Sequence, residues 1–431
     1  MIAMNQRMIE HLPGEGDIQR SVLDNGIVLL SRYHPHSPSI VVNGFLSSGS
    51  LYDPPEKLGR ANFTALGIMR GTQKKNFSQI YESLEYMGAS LMFGGSVHST
   101  SFGGRALAED LPSFFELLAE GLREPTFPTE QIERLRALIM ASLAIRAQDT
   151  SSMASMAFDK HIYADHPYAS PEDGFVETIK QITRDDLAET HAKYFGPQGL
   201  VLAVTGGVDA DAVKKVVEDT LGDWINTAQE PDSDPGSPVE MIQEIREHIN
   251  IPGKSQTDIV MGNQGFTRTS EDFFAATLAN NILGQFGMMG RIGYSVREKA
   301  GLAYYASSGL NASKSAGAWE ISAGVNPNNV EKAIDLIKKE VQKFIAEGPS
   351  DQELEESQAN YIGRLPLSME SNQGVAAALI NIERFELGIN YYRDYPAKIA
   401  SITKEAAQQV AAKYLKPQNM AIISAGVKAE G

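Results

Sequence analysis

Sliding the chain on itself by 220 positions brings two segments into coincidence, ITRDDLAETHAKYFGPQGLVLAVTG at 182–206 and ITKEAAQQVAAKYLKPQNMAIISAG at 402–426. They share Ile-Thr, Ala-Lys-Tyr, Pro-Gln and a closing Gly. A long-period repeat means that one supersecondary unit is used twice, and it constrains the fold more than any single motif does. In each copy Thr183 or Thr403 stands at an N-cap position, where a hydroxyl can accept from a first-turn amide. A helix then runs to Tyr194 or Tyr414, and Pro197 or Pro417 forbids its continuation. The apolar runs Leu200–Val204 and Met420–Ile423 read as buried strands.

A duplicated architecture needs a joint, and NTAQEPDSDPGSP at 226–238 supplies one, rich in Pro, Asp, Ser and Gly and almost free of apolar residues. The expected organisation is a domain over 15–225, a linker over 226–239 and a domain over 240–431. Asp24-Asn25-Gly26 reads as a turn joining Ile18–Leu23 to Ile27–Leu30, and Ser39–Ser47 as a further strand. Helices are expected at 61–69, 80–87 and 111–122, with strands between 89 and 107. The second half repeats the theme: a strand near 256–262, a helix over 270–283 and strands around 304–310 and 319–325. The fold class is therefore α+β, two duplicated α/β domains, each a mostly antiparallel sheet packed with helices.

Composition removes whole classes of function. There is no cysteine in the 431 residues, so disulfides, thiolate metal sites and a cysteine nucleophile are excluded together. The 38 Lys and Arg against 54 Asp and Glu give a net charge of −16, which repels nucleic acid and anionic membranes. No apolar run is long enough for a membrane-spanning helix, so no membrane anchor is expected. The opening MIAMNQRMIEHLPGEGD is charged and lacks an apolar core, so the expected location is cytoplasmic.

The stretch GSLYDPPEKLGRANFTALGIMRGT, 49–72, resembles the signature of pitrilysin- and insulinase-type zinc peptidases, in the branch that includes the mitochondrial processing peptidase. The frame is kept at Gly49, Ser50, Gly59, Ala61, Phe63, Gly71 and Thr72. In the family's inverted H-x-x-E-H, two imidazoles one turn apart bind zinc and the intervening Glu serves as base for the metal-bound water. Here those three positions hold Asn62, Ala65 and Leu66. Asn is a poor ligand, Ala accepts no proton and Leu presents hydrocarbon. The resemblance implies a third ligand, a Glu on a later helix, and ungapped spacing reaches Ser142; neighbouring Ala141 and Leu143 offer no carboxylate either. No metal is expected in this chain.

LGQFGMMGRIGYSVREKAGLAYYASS, 283–308, resembles the same family's second-domain motif, in which an Arg and a Tyr seven residues apart contact the substrate peptide. Arg297 and Tyr304 stand at that spacing. The resemblance implies that the Arg holds peptide oxygens by charge-assisted hydrogen bonds and that the Tyr hydroxyl donates to a developing oxyanion. The alternative is a surface pair of Arg297 with Glu298 and a Tyr304 packed beside Leu302. Tyr305 should point to the opposite face of its strand. Gly284, Gly287 and Gly290 follow a helix instead of opening one, so they read as a mobile loop or a helix end and not as a phosphate cradle. His34 with His36, and His161 with His166, read as exposed loop histidines. The glycines of MGASLMFGG and SFGGRALAEDL fall where the family's edge strand takes up peptide, and equally suit bulges or turns.

The resemblance implies half of a clam-shell chamber and a non-catalytic, substrate-binding subunit of a heterodimeric zinc metallopeptidase. Its expected partners are a homologous zinc-bearing peptidase subunit, which holds the zinc, and a peptide substrate. The alternatives are a structural or assembly subunit and a peptide-binding homodimer without peptidase role.

Overall fold

The computed structural model describes Ile9, residues 11–286 and residues 290–428. The first half contributes β1 (Gln19–Val22), β2 (Val28–Tyr33), β3 (Ser39–Leu46), α1 (Arg60–Gly67), α2 (Phe77–Tyr86), β4 (Ser90–Gly95), β5 (Thr100–Leu107), α3 (Leu111–Arg123), α4 (Thr129–Arg146), α5 (Thr150–Tyr163), α6 (Val176–Gln181), α7 (Arg184–Tyr194), β6 (Val201–Gly206) and α8 (Ala210–Leu221). The second half contributes β7 (Ile245–Asn250), β8 (Thr257–Gln264), α9 (Phe273–Gly284), β9 (Ala303–Leu310), β10 (Ala318–Val325), α10 (Val330–Glu347), α11 (Asp351–Ser368), α12 (Asn372–Arg384), α13 (Tyr391–Ala400), α14 (Lys404–Tyr414) and β11 (Ala421–Gly426).

Two mixed sheets result, ordered β1-β2-β6-β3-β5-β4 and β7-β11-β8-β10-β9. Apart from the extra edge strand β1, they match strand for strand. β2 runs parallel to β6 as β7 does to β11, and the remaining pairs are antiparallel. The repeated segments found in the sequence are α7–β6 and α14–β11. Thr183 accepts from the Asp186 amide at 3.2 Å while the Asp186 carboxylate accepts from the Thr183 amide at 2.7 Å, a reciprocal cap. Thr403 caps α14 through the Ala406 amide at 3.2 Å.

Every residue of β6 and of β11 is buried, so these strands need cover on both faces. One face of the first sheet packs on α3 and α8, through residues such as Phe114, Leu118, Val213 and Val217. The matching face of the second packs on α9, α10 and α14. The other faces are covered by exchange. Helix α5, from the first half, lays Ala154, Phe158, Ile162 and Tyr163 against Val260, Ala421 and Ile423 of the second sheet. Helix α12, from the second half, lays Val375, Leu379 and Ile382 against Leu30, Phe45, Val201 and Ala203 of the first. Burying each such side chain is worth about 1.5–3 kcal/mol, so neither half has a complete core alone. The exposed Arg20–Glu383 ion pair crosses the same junction and adds little beyond that.

One polar feature works against this clasp. Asp159 of α5 is largely buried, and the charges acting on it are both negative, Glu320 of β10 and Glu172. Burial first, and those carboxylates second, push its pKa up to about 7. Burial raises Glu320 as well.

Phe158→Ala is expected to cost about 3–5 kcal/mol and to lower one common unfolding transition in chemical denaturation. Residues 1–238 made alone should bind a hydrophobic dye and melt without cooperativity, whereas co-expression with 239–431 should restore a sharp melt. A folded pKa above the unfolded value of about 3.9 means that Asp159 destabilises increasingly as pH rises from that value through about 7. Asp159→Asn should therefore raise Tm, by roughly 2–4 °C for each kcal/mol recovered, with a larger gain at pH 8 than at pH 5; an equal gain at both contradicts the assignment.

Candidate functional site

The segment 49–72 links β3 to α1 and on towards α2, and its retained residues each perform a structural task. Gly49 passes so close to the β4–β5 turn that a Cβ there would meet the Val97 carbonyl at 2.0 Å. The Ser50 and Leu51 amides donate to the Ser96 and Val97 carbonyls, both at 3.0 Å, fixing this approach. Asp53, its side chain fully buried, accepts from the Gly59 and Ala61 amides at 3.0 Å each and lies 3.6 Å from the Arg60 guanidinium. It thereby satisfies amides at the start of α1 in place of a conventional cap. Gly59 has φ +94°, a left-handed conformation, and a Cβ on it would crowd Asp173 and Ile179. Phe63 is fully buried among Phe127, Ile132, Leu135 and Ile179. The Thr72 hydroxyl bonds Glu120 at 3.2 Å and accepts from the Lys75 amide at 3.0 Å.

Helix α1 itself packs chiefly on β4 and α7. Asn62 is half-buried, and its Oδ1 accepts from the Gly95 amide of edge strand β4 at 3.0 Å. Ala65 is fully buried, and Leu66 packs against the cluster around Phe63. On α4 the burial stripe Ile132, Leu135, Ile139, Leu143 turns Leu143 into that same cluster, while Ser142 is exposed. Among the described residues no group of three His, Asp or Glu side chains could hold a metal ion. An amide committed to the backbone, two hydrocarbon side chains and a hydroxyl turned to solvent do not fit a zinc ion.

The histidines fall out differently from the sequence reading at one pair. His34 and His36 are exposed as expected. His161 is on α5, not in a loop, and its Nε2 lies 2.6 Å from Glu247. His166 is buried, its Nδ1 accepting from the Tyr168 amide at 3.2 Å. The sequence missed these because Glu247 lies far from His161 in the chain, and Gly236, whose carbonyl is 3.3 Å from the His166 Nε2, lies far from His166.

Arg297 belongs to the π-helical segment Tyr294–Lys299, which packs beside β9, the strand that carries Tyr304. The Arg297 side chain is about one-third exposed and approaches only Glu298, at 3.6 Å, among the described carboxylates. Tyr304 is 63% exposed, and among the described residues nothing holds its hydroxyl. Tyr305 faces the other way and donates to Asp258 at 2.7 Å. The structure therefore presents Tyr304 on the edge strand of the second sheet and Arg297 on the segment packed beside it. Tyr294, 64% exposed and three residues before Arg297, was not singled out from sequence. Gly284 closes α9 and Gly290 opens the next turn, whereas Gly287 lies outside the described residues. Gly94, Gly95, Gly103 and Gly104 fall within β4 and β5, and β4 is a sheet edge.

A family model described as insulinase (peptidase family M16) matches residues 28–171, and one described as peptidase M16 inactive domain matches 181–361. An uncharacterized zinc protease of Streptomyces coelicolor is 24% identical over 418 residues, 95% of this chain and 90% of that protein. Another, of Bacillus subtilis, is 23% identical over 355 residues, 82% of this chain and 85% of that protein. A crystal structure described as peptidase M16 inactive domain, from Pseudomonas fluorescens, superposes with a TM-score of 0.89 at 24% identity, covering 96% of this chain and 98% of that one. A protease structure from Helicobacter pylori superposes with a TM-score of 0.90 at 18% identity, covering 96% and 100%. These two likenesses carry the fold alone.

The packing of α1 makes its side chains hard to exchange. Ala65→Glu alone buries an uncompensated carboxyl and should cost about 3 kcal/mol or more, read as a shift in denaturation midpoint. The triple change Asn62→His, Ala65→Glu, Leu66→His supplies two imidazoles without a third protein ligand on α4. After dialysis against a chelator and one equivalent of zinc, elemental analysis should find well under one zinc per chain; stoichiometric zinc would show that the site still fits.

Proposed function

The chain belongs to the insulinase family of peptidases, family M16, and from that premise we propose that it is the non-catalytic, substrate-binding subunit of a two-chain zinc metallopeptidase. Its two sheet-and-helix halves form one side of a clam-shell chamber, and a homologous chain with an intact H-x-x-E-H forms the other. Bound in that partner, zinc supplies the Lewis acid and the activated water. This chain supplies Arg297, whose guanidinium holds carbonyl oxygens of the peptide, and Tyr304, whose hydroxyl donates to the oxygen that gains charge.

The observation that carries this reading is the contrast between the two motifs. On α1 the former ligand positions are absorbed into packing, with Asn62 bonded to Gly95 and Ala65 fully buried. On β9 and the segment before it, Tyr304 and Arg297 keep exposed polar ends that make no strong bond among the described residues. An exposed tyrosine with a free hydroxyl contributes little to a fold, and it is available to a ligand.

Mixing the purified chain with a zinc-bearing homologue should raise cleavage of a fluorogenic peptide well above that of the homologue alone. Arg297→Ala and Tyr304→Phe should each lower kcat/KM of the mixture by about tenfold or more without changing the Tm of the chain. Stimulation that survives both substitutions assigns the chain a structural or assembly role. A stable homodimer that binds peptide and stimulates nothing assigns it to peptide binding without cleavage.

A further inference from the structure

Between the two exchanged helices lies an open-sided cavity of about 520 Å³, separate from the edge that carries Arg297 and Tyr304. Asp159 lies on the α5 wall, Glu172 at the rim, His98 on the β4–β5 turn and Arg384 at the end of α12. Lys314 on the β9–β10 connection also lines it, paired with Asp232 at 3.0 Å.

Two opposite charges in this cavity are left uncompensated. Among the described residues neither Asp159 nor Glu172 has a cationic partner, and Asp159 is acted on only by further carboxylates. Among the described residues Arg384, at another part of the lining, has no carboxylate partner either. Its Nη2 donates to the Ser101 hydroxyl at 3.1 Å, its guanidinium sits 4.5 Å over the Phe45 ring, and its Nε is wholly buried without an acceptor. Burial pulls the Arg384 pKa down. His98 is neutral, since burial pushes it down to about 4, so it screens neither wall. Unpaired buried charges are costly to a fold. Sites that retain them in a cavity are candidates for binding ions of the opposite sign.

The arrangement discriminates among ligands. Arg146 and Asp173 also line the cavity but are paired with each other, as Lys314 is with Asp232, so a phosphate compound would find one cation free of a carboxylate, Arg384, and would face Asp159 and Glu172. A metal ion lacks a three-ligand group among the described residues. A molecule with a cationic and an anionic end satisfies both walls at once, and the volume lies within the roughly 300–1,000 Å³ typical of small-ligand sites. We propose that this cavity binds a short zwitterionic peptide of two or three residues, its terminal ammonium held by Asp159 and Glu172 and its terminal carboxylate held by Arg384. The walls come from α5 and α12, so such a ligand ties together the two helices that the halves exchange. The inference does not depend on the zinc-bearing partner.

The test is calorimetric titration and thermal melting of the full chain with dialanine and trialanine, their N-acetyl and C-amide forms, hexaalanine and inorganic phosphate. Free dialanine or trialanine should bind saturably and raise Tm, and either terminal block should weaken binding by about tenfold or more. Phosphate should not bind, and hexaalanine, unable to place both ends inside, should bind more weakly than trialanine. Asp159→Asn, which leaves only Glu172 for the ammonium, should narrow the preference for free over N-acetylated trialanine several-fold, and Arg384→Gln should lose the preference for a free carboxylate. Because Arg384 also packs on Phe45, its variant can fail to fold; Asp159→Asn then decides alone. No saturable binding of either free peptide up to about 10 mM, equal binding of blocked forms by the wild type, or undiminished discrimination by Asp159→Asn overturns the proposal.

Discussion

Every side chain on β6 and β11 is buried, and this requirement for cover on two faces organises the molecule. A single domain of this pattern can clothe one face of its sheet with its own helices. The second face requires a layer from elsewhere, and each half obtains it by lending a helix to the other. Duplication and exchange are thus one solution: α5 and α12 occupy corresponding positions on opposite sheets. The joint between the halves is consequently built from core contacts, not from a surface patch, and the linker through Asp232 only follows it.

The same logic explains why the 49–72 segment keeps its frame while losing its metal chemistry. Gly49 and Gly59 allow backbone approaches that no side chain permits, and Asp53 closes the start of α1 from the preceding loop. These residues hold α1 against β4 whatever the helix carries. Ligand positions have no such duty, so Ala65 and Leu66 could be taken over by packing. The exposed Tyr304 stands on the other side of this distinction, since among the described residues nothing bonds its hydroxyl.

Local structure was legible in the sequence because its causes are local. The hairpin at Asp24-Asn25-Gly26, the Thr183 and Thr403 caps and the stops at Pro197 and Pro417 all act within a few residues. The repeat led directly to the matching sheets. What the sequence hid depends on distance along the chain. Nothing near Phe158 says that it lies on Val260 and Ile423, and nothing near His161 points to Glu247. Ungapped counting reached Ser142, but the helical stripe through Ile139 directs Leu143, not Ser142, towards α1. Asp159 and Arg384 are more than two hundred positions apart, and only the exchange of helices puts them on one cavity.

The bond from the Gly95 amide to Asn62 has a consequence for the history open to this chain. Asn62 now serves as the acceptor for an edge-strand donor, and its neighbours one turn on have become core. Any single step back towards a metal ligand on α1 would give up packing or a hydrogen bond at once, while a gain in zinc affinity would have to await several further changes. Such a position behaves as a ratchet: selection for stability alone opposes the return path, even where the lost chemistry would be useful.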